Sequence, residues 1–221
     1  MPIADIRPIK EGLREKYKQL RRDMPPAEKE ERDENIAVRV ASLWQYQRCR
    51  LLLVYVSTSI EVDTRRLILR ALAEGKTVAV PRCVPGTRQM EFYRIRGLEE
   101  LEPGTFGVLE PAPDRANLVT SFENSLCVVP ALCYDWRGFR LGYGKGYYDR
   151  FLSRYEGTMI GICYSDCVQR SLPHGRFDRP VELLVTDRYL RRTAPAFGGS
   201  IERKGNGHDG KPGRYPQRNK G

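Results

Sequence analysis

Histidine is scarce in this chain: only His174 and His208 occur in its 221 residues. Two histidines are too few for a histidine-rich metal centre, and they argue against a Ser-His-Asp triad as the catalytic device. The six cysteines never occur in a CxxC spacing, and four of them lie in or beside apolar runs, as buried thiols do. The sequence therefore predicts reduced, structural cysteines.

Long apolar runs are also missing, since no segment approaches the roughly 20 apolar residues that cross a bilayer. The N-terminal segment is unlike a signal peptide. These two absences predict a cytoplasmic protein without a membrane partner, and we take a monomer as the expected state.

What the chain does contain is the composition of one globular domain, with 40% hydrophobic and 30% charged residues. Its net charge of +10 favours acidic partners, namely nucleotides, polyglutamate tails or nucleic acid, without choosing among them. After Ala194 the composition changes to Gly, Lys, Arg, Asn and Pro, with six Lys/Arg against Glu202 and Asp209. We predict one domain over residues 1–194 and a basic, glycine-rich, disordered tail over residues 195–221, to which any nucleic-acid binding is confined.

Apolar runs of strand length alternate with helix-favouring segments along the domain. The predicted strands cover residues 51–57, 77–80, 91–95, 126–132, 159–164 and 181–185, the last being the final strand. The predicted helices cover residues 10–22, 27–44, 65–74 and 147–155, and residues 81–90 and 98–113 are predicted to be loops. Such an alternation is typical of parallel sheets covered on both faces. The pattern predicts an α/β fold: a single Rossmann-like domain with three layers, α/β/α, around a central, mostly parallel sheet.

The most informative stretch runs from Arg137 to Arg150 and combines four glycines with cations, three tyrosines and one carboxylate. Alternating glycines keep backbone N–H groups open to a ligand, and the cations supply charge for an anion. The helix predicted from Tyr147 adds its N-terminus to the same place. We interpret the stretch as a phosphate-binding loop, with a glycine-rich surface turn as the alternative.

This loop matches neither of two better-known phosphate motifs. Walker A requires GxxxxGK followed by Ser or Thr, whereas Lys145 is followed by Gly146 and Phe139 stands six positions before it. The dinucleotide fingerprint GxGxxG fails as well, because Gly142, Gly144 and Gly146 run GxGxG. The chemistry of the loop must therefore be argued from its own residues.

Charged residues in and near the loop indicate specific roles. Lys145 and Arg140 can neutralise phosphate oxygens, whereas Asp149 is repelled by them unless a divalent metal lies between. Asp149 therefore implies Mg²⁺, or else it is a first-turn helix residue favoured by the helix dipole. Glu61 follows the first predicted strand, at the edge where open parallel sheets bind ligands, or else it is an ordinary exposed loop carboxylate.

The run VPALCYD at residues 129–135, followed by RGFRLGYGKGYYD at residues 137–149, closely resembles the signature of the 5-formyltetrahydrofolate cyclo-ligase family, also called 5,10-methenyltetrahydrofolate synthetases. The signature loop is specific, and weaker similarities follow in the right order over residues 8–190. They are Lys10 with Arg14, residues 61–64, 80–82 and 106–111, and the segment from Leu172 through Asp178 to Asp187.

The resemblance implies an ATP- and Mg²⁺-dependent enzyme that converts 5-formyltetrahydrofolate to 5,10-methenyltetrahydrofolate and releases ADP and phosphate. In the family mechanism the formyl oxygen attacks the γ-phosphate, N10 closes the ring and phosphate leaves. The resemblance also implies which residues take part. ATP is bound by Lys10, Arg14, Arg140, Gly142, Tyr143, Gly144, Lys145, Gly146, Tyr147 and Tyr148; folate by Val56, Glu61, Tyr143 and Tyr147; Mg²⁺ by Asp149 and Asp178; and Lys145, Arg140 and Tyr147 act in catalysis.

Two other functions fit parts of the same pattern. A non-catalytic nucleotide- or RNA-binding relative of the same fold is motivated by the net charge and the basic tail. An ATP-using enzyme with a different acceptor would keep the loop and differ in the folate-side residues. The loop, Asp149 and Glu61 together favour the cyclo-ligase, because a binding module has no need of a metal-binding carboxylate.

Overall fold

The computed structural model describes residues 6–175 and 178–193. Within these residues the helices are α1 (Arg7–Arg22), α2 (Pro26–Ser42), α3 (Trp44–Arg48), α4 (Arg65–Ala73) and α5 (Tyr147–Leu152). The strands are β1 (Leu51–Val54), β2 (Thr77–Cys83), β3 (Met90–Ile95), β4 (Leu101–Pro103), β5 (Leu109–Pro111), β6 (Ser125–Val129), β7 (Cys133–Asp135), β8 (Arg140–Leu141), β9 (Thr158–Ile162), β10 (Val168–Gln169), β11 (Leu183–Val185) and β12 (Leu190–Arg192).

A seven-stranded sheet in the order β12-β11-β9-β6-β1-β2-β3 forms the centre of the fold. The strands from β11 to β2 run parallel to their neighbours, and one antiparallel strand closes each edge, β12 beside β11 and β3 beside β2. Every residue of β1 and β6 is buried. Because successive strand residues point to opposite faces, both faces of the sheet centre are covered. This arrangement confirms the predicted α/β fold with a mostly parallel sheet.

The helices cover the sheet through their apolar sides. In α2, Ile36 and Val40 are buried, and in α4, Leu67 and Ile68 are buried at helical spacing. These two helices contact each other, and they reach β11 and β2 respectively. Helix α5 contacts β3, where the Phe151 ring lies 4.7 Å from the ring of Phe92. Within the described residues, no helix is both long enough and apolar enough to span a membrane.

Several predicted boundaries were wrong. The first strand ends at Val54 instead of Ser57, because Ser57 turns away to donate a hydrogen bond to Asp63 at 2.9 Å. The second strand continues to Cys83, where a loop was predicted from Pro81, since β2 and β3 form a long antiparallel hairpin. The helix predicted over residues 27–44 breaks at Leu43, whose backbone is extended, and the helix predicted to Tyr155 ends at Leu152.

Two predictions of element type also need correction. Residues 98–113, predicted to lack regular structure, contain the small antiparallel pair β4–β5. The strand β11 is not the final one, because β12 follows it at the sheet edge with three exposed residues. A short, exposed edge strand has no apolar face to bury, so no hydrophobic pattern announces it. The predicted disordered tail over residues 195–221 lies outside the described residues.

Candidate active site

A cavity of about 600 Å³ opens beside the carboxyl end of β1, between α1, the β2–β3 hairpin and the glycine-rich stretch. All fourteen residues that the sequence proposed for ligand or metal binding line it. They are Lys10, Arg14, Val56, Glu61, Arg140, Gly142, Tyr143, Gly144, Lys145, Gly146, Tyr147, Tyr148, Asp149 and Asp178. The fold thus brings together groups that lie up to 168 positions apart in the chain.

The turn that precedes the glycine-rich stretch is built around Asp135, which is fully buried. Its carboxylate accepts hydrogen bonds from the backbone N–H groups of Arg137, Phe139 and Leu172 at 2.9–3.0 Å. At the apex, Gly138 has φ +88°, and a Cβ there would lie 2.5 Å from the carbonyl oxygen of Val181. The turn therefore requires glycine, and it delivers β8 and the following loop to the cavity.

Helix α1 is attached to the loop through Arg14. Its Nε donates a hydrogen bond to the carbonyl oxygen of Gly142 at 3.0 Å, and one terminal nitrogen pairs with Glu11 at 2.7 Å. The guanidinium lies over Gly144, where an added Cβ would be 3.1 Å from the Arg14 Cζ. Because Lys10 is four residues earlier, both cations share the face of α1 that borders the cavity.

We expect Gly144→Ala to raise the KM for ATP about tenfold, because Gly144 has φ +89° and the new methyl group displaces Arg14. Two variants separate the causes. Gly142→Ala meets nothing within 4 Å at a φ that other residues adopt, and Gly75→Ala has a similar strain at φ +76° without a neighbour. Steady-state kinetics of all three variants check the prediction, and an equal KM in Gly142→Ala and Gly144→Ala would contradict it.

Each of the two cavity aspartates is paired with a cation. Lys10 Nζ lies 3.2 Å from Asp178 Oδ2. Arg140 donates to Asp149 with one terminal nitrogen and to the carbonyl oxygen of Arg179 with the other, the latter at 2.9 Å. The Arg140 side chain is only 4% exposed, whereas that of Asp149 is 42% exposed. Arg140 thus links the loop to the segment that carries Asp178, and Asp149 keeps an open side toward the cavity.

Glu61 is buried, so the alternative of an exposed loop carboxylate is wrong. Its Oε2 accepts two hydrogen bonds of 2.9 Å, from the backbone N–H and the hydroxyl of Thr58. Tyr143 faces it: burial, followed by the negative charge of Glu61, raises the pKa of Tyr143, which therefore stays protonated at neutral pH. The pair presents a fixed carboxylate and a neutral hydroxyl to the same cavity.

One cavity tyrosine has an unsatisfied polar atom. The hydroxyl of Tyr148 is buried and has no hydrogen-bond partner among the described residues. Burial, followed by the nearby Cys127 and Glu61, raises the pKa of Tyr148 well above its ordinary value. A buried hydroxyl without a partner costs free energy, so its position on a cavity wall is what a ligand-binding site would explain.

Sequence reasoning missed three residues that shape the cavity. Glu110 is buried in its wall, and Cys83 lies beside it, where burial raises the pKa of the thiol to about 11. Arg21 is buried behind it and donates to the carbonyl oxygens of Ala131 and Leu132 at 2.6 and 2.8 Å. A signal for Arg21 existed, because it lies four residues after buried Tyr17 and so on the same face of α1.

Arg21 also ties α1 to the segment that carries Glu61. A terminal nitrogen of its guanidinium is 3.4 Å from the carbonyl oxygen of Ile60, the residue before Glu61. The Tyr164 ring lies 5.6 Å from the Arg21 Cζ, at cation–π distance. All six cysteines are free, and five of them are buried, which confirms the predicted reduced thiols.

Comparison with known proteins gives consistent matches. A profile described as the 5-formyltetrahydrofolate cyclo-ligase family matches residues 7–187. A protein of Schizosaccharomyces pombe named probable 5-formyltetrahydrofolate cyclo-ligase is 31% identical over 168 residues, which cover 69% of this chain and 82% of the relative. The 5-formyltetrahydrofolate cyclo-ligase of Escherichia coli K12 is 26% identical over 173 residues, covering 76% of this chain and 95% of the relative.

Two solved structures share the fold. The solution structure of Aquifex aeolicus 5,10-methenyltetrahydrofolate synthetase matches with a TM-score of 0.74 and 31% identity, covering 90% of this chain and all of the other. The 5,10-methenyltetrahydrofolate synthetase of Mycoplasma pneumoniae matches with a TM-score of 0.65 and 21% identity over 80% of this chain and 98% of the other, which supports the fold alone.

Proposed function

The chain belongs to the 5-formyltetrahydrofolate cyclo-ligase family, and from that membership we propose that it converts 5-formyltetrahydrofolate to 5,10-methenyltetrahydrofolate with ATP and Mg²⁺. The cyclo-ligase activity itself follows from the family and its named relatives. What supports the proposed division of roles is one observation: the fourteen sequence-selected residues line a single cavity.

We assign the phosphate end of the cavity to ATP. Lys10, Arg14, Arg140 and Lys145 supply positive charge on two sides of the glycine-rich loop, whose small residues leave the backbone open. Phosphoryl transfer depends mainly on positioning and on neutralising charge, and it needs little covalent chemistry from side chains. In the proposed reaction the formyl oxygen attacks the γ-phosphorus and ADP leaves. N10 then attacks the activated carbon, and loss of phosphate completes the ring.

The donor set fits Mg²⁺ that is shared with phosphate. Asp149 and Asp178 line the cavity, and among the described residues no group of three or more His, Cys, Asp or Glu side chains is placed to hold a metal alone. Mg²⁺ usually binds one or two carboxylates together with water and substrate phosphates. We propose Asp149 and Asp178 as its ligands; when bound, the ion neutralises developing charge on the phosphate oxygens. Lys10 and Arg140, now paired with these aspartates, are then available to phosphate.

We assign the other end of the cavity to the folate. Glu61, held by Thr58, is suited to the adjacent N–H donors of the aminopyrimidine edge of the pterin. Val56 lies at the end of β1 beside it, and Tyr143 and Tyr147 line the wall near the formyl group. The unpartnered Tyr148 hydroxyl gives the bound ligand one further hydrogen-bonding group.

A single assay tests the proposal. The purified full chain is incubated with 5-formyltetrahydrofolate and MgATP while the near-ultraviolet absorbance of 5,10-methenyltetrahydrofolate is followed. We expect product that depends on both ATP and Mg²⁺, with ADP and phosphate released in equal amounts. ATP binding without any product at micromolar enzyme would contradict the proposal and favour an enzyme with a different acceptor.

Neither the location nor a nucleic-acid role gains support beyond the sequence. The cytoplasm stays a prediction from composition, and one plant relative, from Arabidopsis thaliana, is named mitochondrial. The RNA-binding alternative rested on the basic tail, which lies outside the described residues.

A further inference from the structure

A second, smaller pocket adjoins the main cavity. Its volume is about 400 Å³, and it is lined by Thr87, Arg88, Gly144, Lys145 and Tyr147. The last three residues also line the main cavity, so the two spaces meet at the glycine-rich loop. Arg88 and Thr87 come from the tip of the β2–β3 hairpin, a segment to which the proposed mechanism assigns no role.

The hairpin tip is a defined turn. Val84 donates its backbone N–H to the carbonyl oxygen of Gln89 at 3.0 Å, and Gly86 adopts φ +71°. The hydroxyl of Thr87 donates to the Val84 carbonyl at 2.8 Å and accepts from the Gln89 N–H at 3.1 Å. These bonds fix the backbone on both sides of Arg88.

The tip is also attached to the glycine-rich loop. The hydroxyl of Tyr147 donates a hydrogen bond to the carbonyl oxygen of Thr87 at 3.3 Å. Burial and then the Cys83 thiol raise the pKa of Tyr147, whereas the positive charge of Arg88 opposes that rise. The Arg88 guanidinium is therefore near the Tyr147 hydroxyl, on the side of the tip that faces the loop.

The charge of this pocket differs from that of the main cavity. Acidic side chains line the main cavity, among them Glu110 and Asp149, but the small pocket has two cations and no carboxylate in its lining. Arg88 is exposed, and no acidic side chain of residues 6–175 or 178–193 forms an ion pair with it. Two cations facing one space without a counter-charge attract an anion.

We propose that Arg88 and Lys145 form an oxyanion subsite that holds a negatively charged end of a substrate at the mouth of the cavity. This inference rests on the proposed function, because the two anionic substrates of that reaction are its possible occupants. One source is the polyphosphate chain of ATP, and the other is the glutamate tail of the folate. Both carry the same recognisable chemistry, a carboxylate or phosphate group suited to the planar donors of an arginine.

The first experiment measures binding without turnover. Isothermal titration calorimetry of the full chain uses inorganic tripolyphosphate and a γ-linked glutamate trimer as probes. We expect Arg88→Gln to weaken the binding of one of these probes about three- to tenfold, while Arg88→Lys keeps most of the affinity. The matched control is Arg94→Gln, which removes an exposed arginine of β3 that lines neither pocket.

The second experiment identifies the substrate that carries the anion. If the glutamate tail is bound, Arg88→Gln raises the KM of triglutamyl 5-formyltetrahydrofolate more than that of the monoglutamate and leaves the KM of ATP unchanged. If the polyphosphate is bound, only the KM of ATP rises. The proposal is overturned if Arg88→Gln and Arg94→Gln behave alike toward both probes. Because calorimetry needs no turnover, that failure is distinct from a failure of the cyclo-ligase reaction.

Discussion

Replacing Asp149 by Asn is expected to lower kcat about 100-fold or more, the largest loss that we predict for a single charge in this site. Asparagine keeps an oxygen that can accept the Arg140 hydrogen bond, but it removes the negative charge that a shared Mg²⁺ requires. The rate should no longer saturate at millimolar Mg²⁺. A second readout is calorimetry with ADP, whose affinity should respond to added Mg²⁺ in the wild-type chain and not in the variant.

The control for Asp149→Asn is Asp166→Asn. Asp166 has a similarly exposed side chain, 44% against 42%, and it also forms an ion pair with an arginine, at 2.7 Å from Arg32. It does not line the cavity. We expect this control to retain kcat within about twofold, since an exposed ion pair contributes little. A wild-type kcat in Asp149→Asn would refute the assignment of Asp149 to the metal.

Glu61→Gln is expected to lower kcat/KM for 5-formyltetrahydrofolate about 10- to 100-fold and to leave the KM of ATP unchanged. The amide keeps the size of the side chain, but it presents one oxygen where the carboxylate presents two. A charged acceptor of adjacent N–H donors is thereby lost, and hydrogen bonds to charged groups stabilise by about 1.5–3 kcal/mol each. Steady-state kinetics with each substrate varied in turn measures both constants.

Asp33→Asn serves as the control for the loss of a buried carboxylate. Asp33 and Glu61 are equally buried, with 7% of each residue exposed, and Asp33 accepts hydrogen bonds from Lys29 and Tyr164 away from the cavity lining. The control should lose thermal stability without a change in either KM. If both variants showed the same fall in kcat/KM, the effect would be one of folding, and Glu61 would not recognise the folate.

The parts of the site that the sequence predicted have local signatures. The glycine-rich loop is contiguous, and the spacing of Lys10 and Arg14 places them on one face of any helix. The buried strands β1 and β6 are continuous apolar runs, so the parallel sheet was predictable as well. For these elements the pattern along the chain already contains the geometry.

The parts that escaped prediction depend on contacts between distant segments. The alternative for Glu61 stayed open because only the folded chain shows that Thr58 and Tyr143 enclose the carboxylate. The β2–β3 hairpin was cut short at Pro81 because turn-forming residues and arginine hide its register. Arg88 carries no motif, and its relation to Lys145 arises only when the hairpin tip meets the loop.

The contact between Lys10 and Asp178 has a consequence for how the protein is made. The two side chains on either side of the proposed phosphate site come from opposite ends of the domain, 168 positions apart. The central strand β1 likewise pairs with β6, more than seventy positions later, so the sheet is dominated by non-local pairings that form slowly. During synthesis, α1 and β1 leave the ribosome long before their partners exist. A nascent chain therefore gains its ligand site only near the end of translation, and ATP or folate can stabilise the finished domain but not its early intermediates.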